Sequence, residues 1–157
     1  MAAQPDERGS QTNEISERNQ KQAQAIAEQF VEFYYRSFDQ KAWDELGAYY
    51  QLGSWYTWQG DAVENTKESP TAILDKLKTL PFEKITHALV SNPTEDWRDA
   101  IRAQPVANSG AIAVAVMGRF SVDQEGNQLP FTQTFLLMPI PQGGYYIQSD
   151  FFRIMLV

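Results

Sequence analysis

Few side chains in this sequence could carry chemistry of their own. His87, the only histidine, Asp150 and several tyrosines are the parts available for acid–base work. An active site would have to hold one of them in an apolar pocket with a shifted pKa, beside a hydrogen-bond donor aimed at developing negative charge. The simpler reading of His87 is a hydrogen-bonded strand residue. With no cysteine there is no thiolate nucleophile, no thiolate zinc site and no disulfide framework, and one histidine rules out a metal cluster built on histidine alone. No Gly-rich phosphate loop, Ser-His-Asp order or metal-ligand spacing occurs. No catalytic residue, metal or cofactor is assigned.

What the chain does carry in quantity is binding surface. Four Trp, seven Tyr and nine Phe make 13% of its 157 residues aromatic, and such side chains bring large area to cores and interfaces alike. The net charge of −7 works against direct contact with nucleic acid, because phosphate binding needs a basic footprint and no Lys/Arg-rich run supplies one. No apolar run approaches the ~18 residues of a membrane span and no charged-then-apolar leader opens the sequence. A soluble, non-secreted chain in a reducing compartment is expected, without nucleic-acid or membrane partners.

The elements that must position these residues follow from periodicity. Residues 1–18 contain almost nothing apolar and predict a disordered tail. With Asn19 as cap, Ala23, Ile26, Ala27, Phe30, Val31, Tyr34 and Phe38 recur at spacings of three and four and predict a helix of about five turns. Trp43, Leu46 and Tyr50 suggest a short second helix. Ser54 to Trp58 reads as a strand before the turn Gln59-Gly60-Asp61. Ser69-Pro70 predicts the start of a third helix, since serine caps well and proline suits the first helical position.

From Lys84 onward the pattern alternates. Residues 84–90, 111–122, 131–138 and 145–152 read as strands, and 92–109 as a long loop with one helical turn. Helices first and an antiparallel meander afterwards argue for an α+β domain in which helices cover one face of a curved sheet. In the last strand Tyr145, Ile147, Ser149 and Phe151 should point one way, and Tyr146, Gln148, Asp150 and Phe152 the other. Phe131, Gln133, Phe135 and Leu137 share a face opposite Thr132, Thr134, Leu136 and Met138. A face mixing aromatic anchors with amides suits a protein partner.

Several segments in order, EQFVEFYYRSFD at 28–39, YTWQG at 56–60, LPFEKITHAL at 80–89, FTQTFLL at 131–137 and SDFFR at 149–153, resemble the nuclear transport factor 2 family. The resemblance covers about residues 22–156. It implies a cone-shaped α+β domain over residues 19–157, with three helices packed into a strongly bent antiparallel sheet and a hydrophobic pocket at the mouth. It also implies a non-enzymatic transport adaptor, although related folds include dehydratases and isomerases.

Two branches of the family fit. One is the small subunit of the mRNA export receptor, whose partner is the homologous domain of the large export subunit. The other is the homodimeric carrier that imports GDP-bound Ran. Both would engage Phe-Gly repeat nucleoporins and shuttle between the nucleus, the nuclear pore and the cytoplasm. Where the Ran carrier has a glutamate for a lysine of Ran, this chain has Gln59, which cannot form a charge-assisted pair. Asp123 and Glu125 fall where that carrier places two further carboxylates, although turn chemistry alone accounts for an Asp there. The expectation is therefore the export subunit. Its partner interface is expected to use Gln133, Phe135, Gln148, Asp150, Phe152 and Arg153, the arginine reaching a carboxylate on the partner.

Overall fold

The structure, a computed structural model, describes residues 7–90, 92, 94–123 and 128–155. Its helices are α1 (Glu7–Asp39), α2 (Trp43–Gly47) and α3 (Ala72–Lys78), with a 3-10 turn at Trp97–Ala100. The strands are β1 (Tyr50–Trp58), β2 (Asp61–Glu64), β3 (Ile85–Ala88), β4 (Ile101–Pro105), β5 (Ile112–Val122), β6 (Leu129–Pro139) and β7 (Tyr145–Ile154). They form one seven-stranded sheet in the order β2-β1-β7-β6-β5-β3, with β4 also pairing β5.

Helix α1 lies across the inner face. Of its expected stripe, Ala23, Ala27, Val31, Tyr34 and Phe38 are in the core and Ile26 and Phe30 pack half-buried against it; Tyr35, outside that stripe, is buried too. They pack on the inward residues of β5 to β7, where Val114, Val116, Phe131, Phe135, Leu137, Ile147 and Phe152 are also buried. Leu46 of α2 and Ile73 and Leu77 of α3 close one end.

Four expectations need correcting. The helix does not begin at an Asn19 cap but at Glu7, so residues 7–18 are helical rather than unstructured; residues 1–6 lie outside the described residues. Residues 13–22 are exposed and gain little from burial, but they are rich in good helix formers, and Glu14/Arg18 and Glu17/Lys21 have the favourable four-residue order. Adding turns to a packed helix also avoids the cost of a new nucleus. The third helix starts later than Ser69-Pro70, at Ala72, where the carboxamide oxygen of buried Asn65 accepts from the Ile73 amide at 2.9 Å.

The segment 92–109 is not one loop, since β4 pairs antiparallel with β5 from Ile101↔Val116 to Pro105↔Ile112. A five-residue strand containing Arg102 and Pro105 gives too short an alternation to read. Finally, the sheet is mixed: β1 runs parallel to β7, with Tyr56↔Asp150 and Trp58↔Phe152 in register. Periodicity identifies strands but not partners almost a hundred residues away, so the direction of this pair is invisible locally.

Candidate partner-binding face

The inner face of β6 and β7 holds the polar residues that the sequence singles out. Asp150 is fully buried. Its Oδ2 accepts from the hydroxyls of Tyr34 on α1 at 2.7 Å and Tyr50 on β1 at 2.6 Å, and its Oδ1 from the Gln133 amide on β6 at 2.6 Å. Gln133 in turn accepts from the Tyr35 hydroxyl at 2.8 Å. Burial raises the Asp150 carboxyl to about 6, against the opposing pull of these donors. Burial, aided by the nearby Asp150 charge, pushes all four tyrosines Tyr34, Tyr35, Tyr50 and Tyr56 up, so they stay protonated.

His87 is a strand residue with its bonds satisfied. Its Nδ1 lies 2.7 Å from Asp39 Oδ1, its backbone amide donates to Asp39 Oδ2 at 3.0 Å, and its ring stacks on Tyr35 at 4.5 Å. Burial lowers its pKa, opposed by Asp39, so the neutral ring donates from Nδ1 to the carboxylate. Two surface grooves, of about 820 and 440 Å³, are formed by the first half of α1 with β4 and β5; neither is lined by Asp150, Tyr34, Tyr50 or His87. A carboxylate that accepts from three donors on different elements is a tie between α1, β1 and the sheet.

These positions overturn much of the expected interface. Gln133, Phe135, Asp150 and Phe152 lie beneath α1 and are at most 2% exposed, so they cannot meet a partner. The alternation in β7 is broken by a bulge: Leu136 pairs Ser149 while Leu137 pairs Ile147, leaving Gln148 as the extra residue. Ile147 therefore points inward with Asp150 and Phe152, not outward with Ser149 and Phe151. Of the remaining two, Gln148 is half-buried and donates to the Gly53 carbonyl, and Arg153 is exposed.

The outward face is the one left open. Phe151, 44% exposed, stands between Thr57 and Thr134. In the next row Trp55 pairs Ser149, which pairs Leu136, which pairs Ala113. On the other side Arg153 pairs Thr132, which pairs Met117, 62% exposed. Trp55 is exposed as well. Large apolar side chains sharing one sheet face, interleaved with threonines and with Arg153, have the composition of a protein interface. Thr132, Thr134 and Leu136 were visible as one face; Trp55, Met117 and Phe151 escaped because which face the helices cover is not a local property.

At one end of the sheet, aromatic rings form a rim. Trp58 stacks on Phe152 at 4.4 Å and lies 6.2 Å from Phe82, which in turn lies 6.4 Å from Phe120. Gln59, at positive φ, continues β1 here: its carboxamide oxygen accepts from the Ile154 amide at 2.7 Å. Asp123, also at positive φ, takes the amides of Glu83 and Lys84 on Oδ1. The fold thus brings Gln59 and Asp123 to the same rim. Glu125 lies outside the described residues.

The inner polar residues are thus tied to one another while an apolar sheet face stays open outside. Residues 26–154 match the model of the Nuclear transport factor 2 (NTF2) domain. The nuclear transport factor 2 of Emericella nidulans is 37% identical over 131 residues, which are 83% of this chain and 94% of that protein. The structure of nuclear transport factor 2 from Cryptosporidium parvum superposes with a TM-score of 0.68 at 30% identity, over 83% of this chain and 93% of that one. The Mtr2-Mex67 M domain complex of C. albicans gives 0.60 over 84% and 94%, but at 17% identity it shows the fold alone. The chain belongs to the nuclear transport factor 2 family, and it is a non-enzymatic member.

Proposed function

We propose that this chain is a nuclear transport carrier of the Ran-importing type, working as a dimer joined through its outward sheet face. The observation that carries the assembly is the exposed set Trp55, Phe151 and Met117 on one sheet face, which a monomer would leave in water. Relatives 31% to 37% identical over most of the chain are named for nuclear transport factor 2, whereas the export complex resembles this chain in fold only. That balance favours the import reading over the expected export subunit. On this reading the rim carrying Gln59 and Asp123 faces GDP-bound Ran, Phe-Gly nucleoporins are further partners, and the protein shuttles through the nuclear pore.

The export subunit stays as a second reading on one observation. Gln59 is neutral and its carboxamide oxygen is already engaged by Ile154, so the rim lacks a carboxylate at that position. Titration calorimetry against GDP-bound Ran and against the homologous domain of the large export subunit tests the choice. Binding to Ran with none to the export domain is expected. Submicromolar binding to the export domain alone would overturn the import reading.

A further inference from the structure

An edge strand presents unpaired backbone groups on which another strand can form. Here β4 is such an edge, because among the described residues it pairs only β5. In an antiparallel ladder the outward groups belong to alternate residues, and the Ala103 amide, bonded away from β5, assigns them to Ile101, Ala103 and Pro105. Each outward N–H is accounted for. Ile101 donates to the Arg98 carbonyl, Ala103 donates to Gln24 Oε1 at 2.9 Å, and Pro105 has none.

Two outward carbonyls are taken as well. Gln24 Nε2 donates to the Ile101 carbonyl at 2.9 Å and Gln20 Nε2 donates to the Ala103 carbonyl. The single carboxamide of Gln24 therefore both accepts and donates, as the backbone of a neighbouring strand residue would. Gln20 and Gln24 are one helical turn apart and so project from the same side of α1. The same helix treats β3 alike at its other end, where Asp39 accepts from the outward His87 amide. Ordinary packing does not require amide side chains at these places: an aliphatic residue would fill the contact with β4 but leave its backbone groups unpaired.

We infer that α1 guards the strand edge of this sheet, with Gln20 and Gln24 standing in for an eighth strand on β4 and so preventing a second copy of the chain from adding there. The guard confines association to the outward face. Its failure would open a second, heterologous route by which copies join strand to strand, independent of which transport partner the chain serves.

The test is sedimentation velocity of Gln20→Ala/Gln24→Ala beside wild type at equal concentrations, with hydrogen exchange read at the Ala103 amide. The double variant is expected to stay helical by circular dichroism, to lose protection at Ala103 when dilute enough to remain dissociated, and at higher concentration to form a species whose mass is roughly double that of wild type or larger, with that amide protected again. Adding Ala103→Pro, which removes the outward N–H without touching the bonds to β5, should return the mass to the wild-type value. Gln20→Ala alone frees only one carbonyl and should give the same change to a smaller extent, which keeps the test open if the double variant unfolds. A folded double variant with wild-type mass, or a larger species that persists with Ala103→Pro, would overturn the inference.

Discussion

The two faces of the sheet around β6 and β7 both depart from the usual separation of polar from apolar groups. Inside, Asp150 and Gln133 are buried and bonded to Tyr34, Tyr35 and Tyr50; outside, Phe151, Trp55 and Met117 are in solvent. Adjacent residues of one strand show the contrast: Phe152 is 1% exposed and Phe151 is 44% exposed. The difference teaches that the residues able to do chemistry are here committed to holding the fold, while the chemically inert ones are available for function. Substitutions on the two faces should therefore separate into stability effects and assembly effects.

The largest effect is expected at Phe152. Phe152→Ala removes a ring that stacks on Trp58 and Phe131, and should cost about 3–5 kcal/mol of unfolding free energy, read from urea denaturation. Phe151→Ala should change unfolding of the monomer by no more than about 0.5 kcal/mol. Equal losses at the two positions would erase the distinction between the faces.

Next comes the pH dependence of the inner face. The folded Asp150 carboxyl titrates at about 6 against an ordinary value of 3.8, so the folded state holds this proton more tightly. Its contribution to stability is fully present below the ordinary value and is lost as the pH rises through about 6, a change on the order of 3 kcal/mol. Asp150→Asn keeps an acceptor for the tyrosines but cannot ionise. The variant should gain on wild type between pH 4.5 and 7, measured by urea midpoints at both. A difference independent of pH would show that the carboxyl is not held in the way its surroundings imply.

The outer face is tested by Phe151→Glu, which sets a charge in the centre of the apolar surface. Self-association should weaken by about 2 kcal/mol or more, while the midpoint of monomer unfolding stays near that of wild type. Sedimentation equilibrium measures the first and urea denaturation the second. Unchanged association would remove this face from the assembly.

The smallest effect is expected at the rim. Gln59→Glu retains an oxygen for the Ile154 amide and adds the charge that the Ran carrier uses, so affinity for GDP-bound Ran should improve by about 1 kcal/mol with the dimer unchanged. Calorimetry at one salt concentration reads this. No gain would mean that the rim does not present residue 59 to Ran.

Local periodicity was enough to read the apolar stripe of α1 and the strands β5, β6 and β7, because burial of one helix side or sheet face imposes a repeat of 3.6 or two residues on the chain. The same repeat divided β6 correctly into Gln133 and Phe135 on one side and Thr132 and Thr134 on the other. It carried no information on which side α1 would cover, and the choice of the wrong one displaced most of the expected interface. The bulge at Gln148 is equally silent, since one extra residue reverses the alternation without changing composition. Only the tertiary structure, by docking Tyr34 and Tyr50 onto Asp150 and by pairing β1 parallel to β7 across most of the chain, decided which residues became core and which became surface. That decision belongs to contacts between distant segments, and their energies are not written in any one of them.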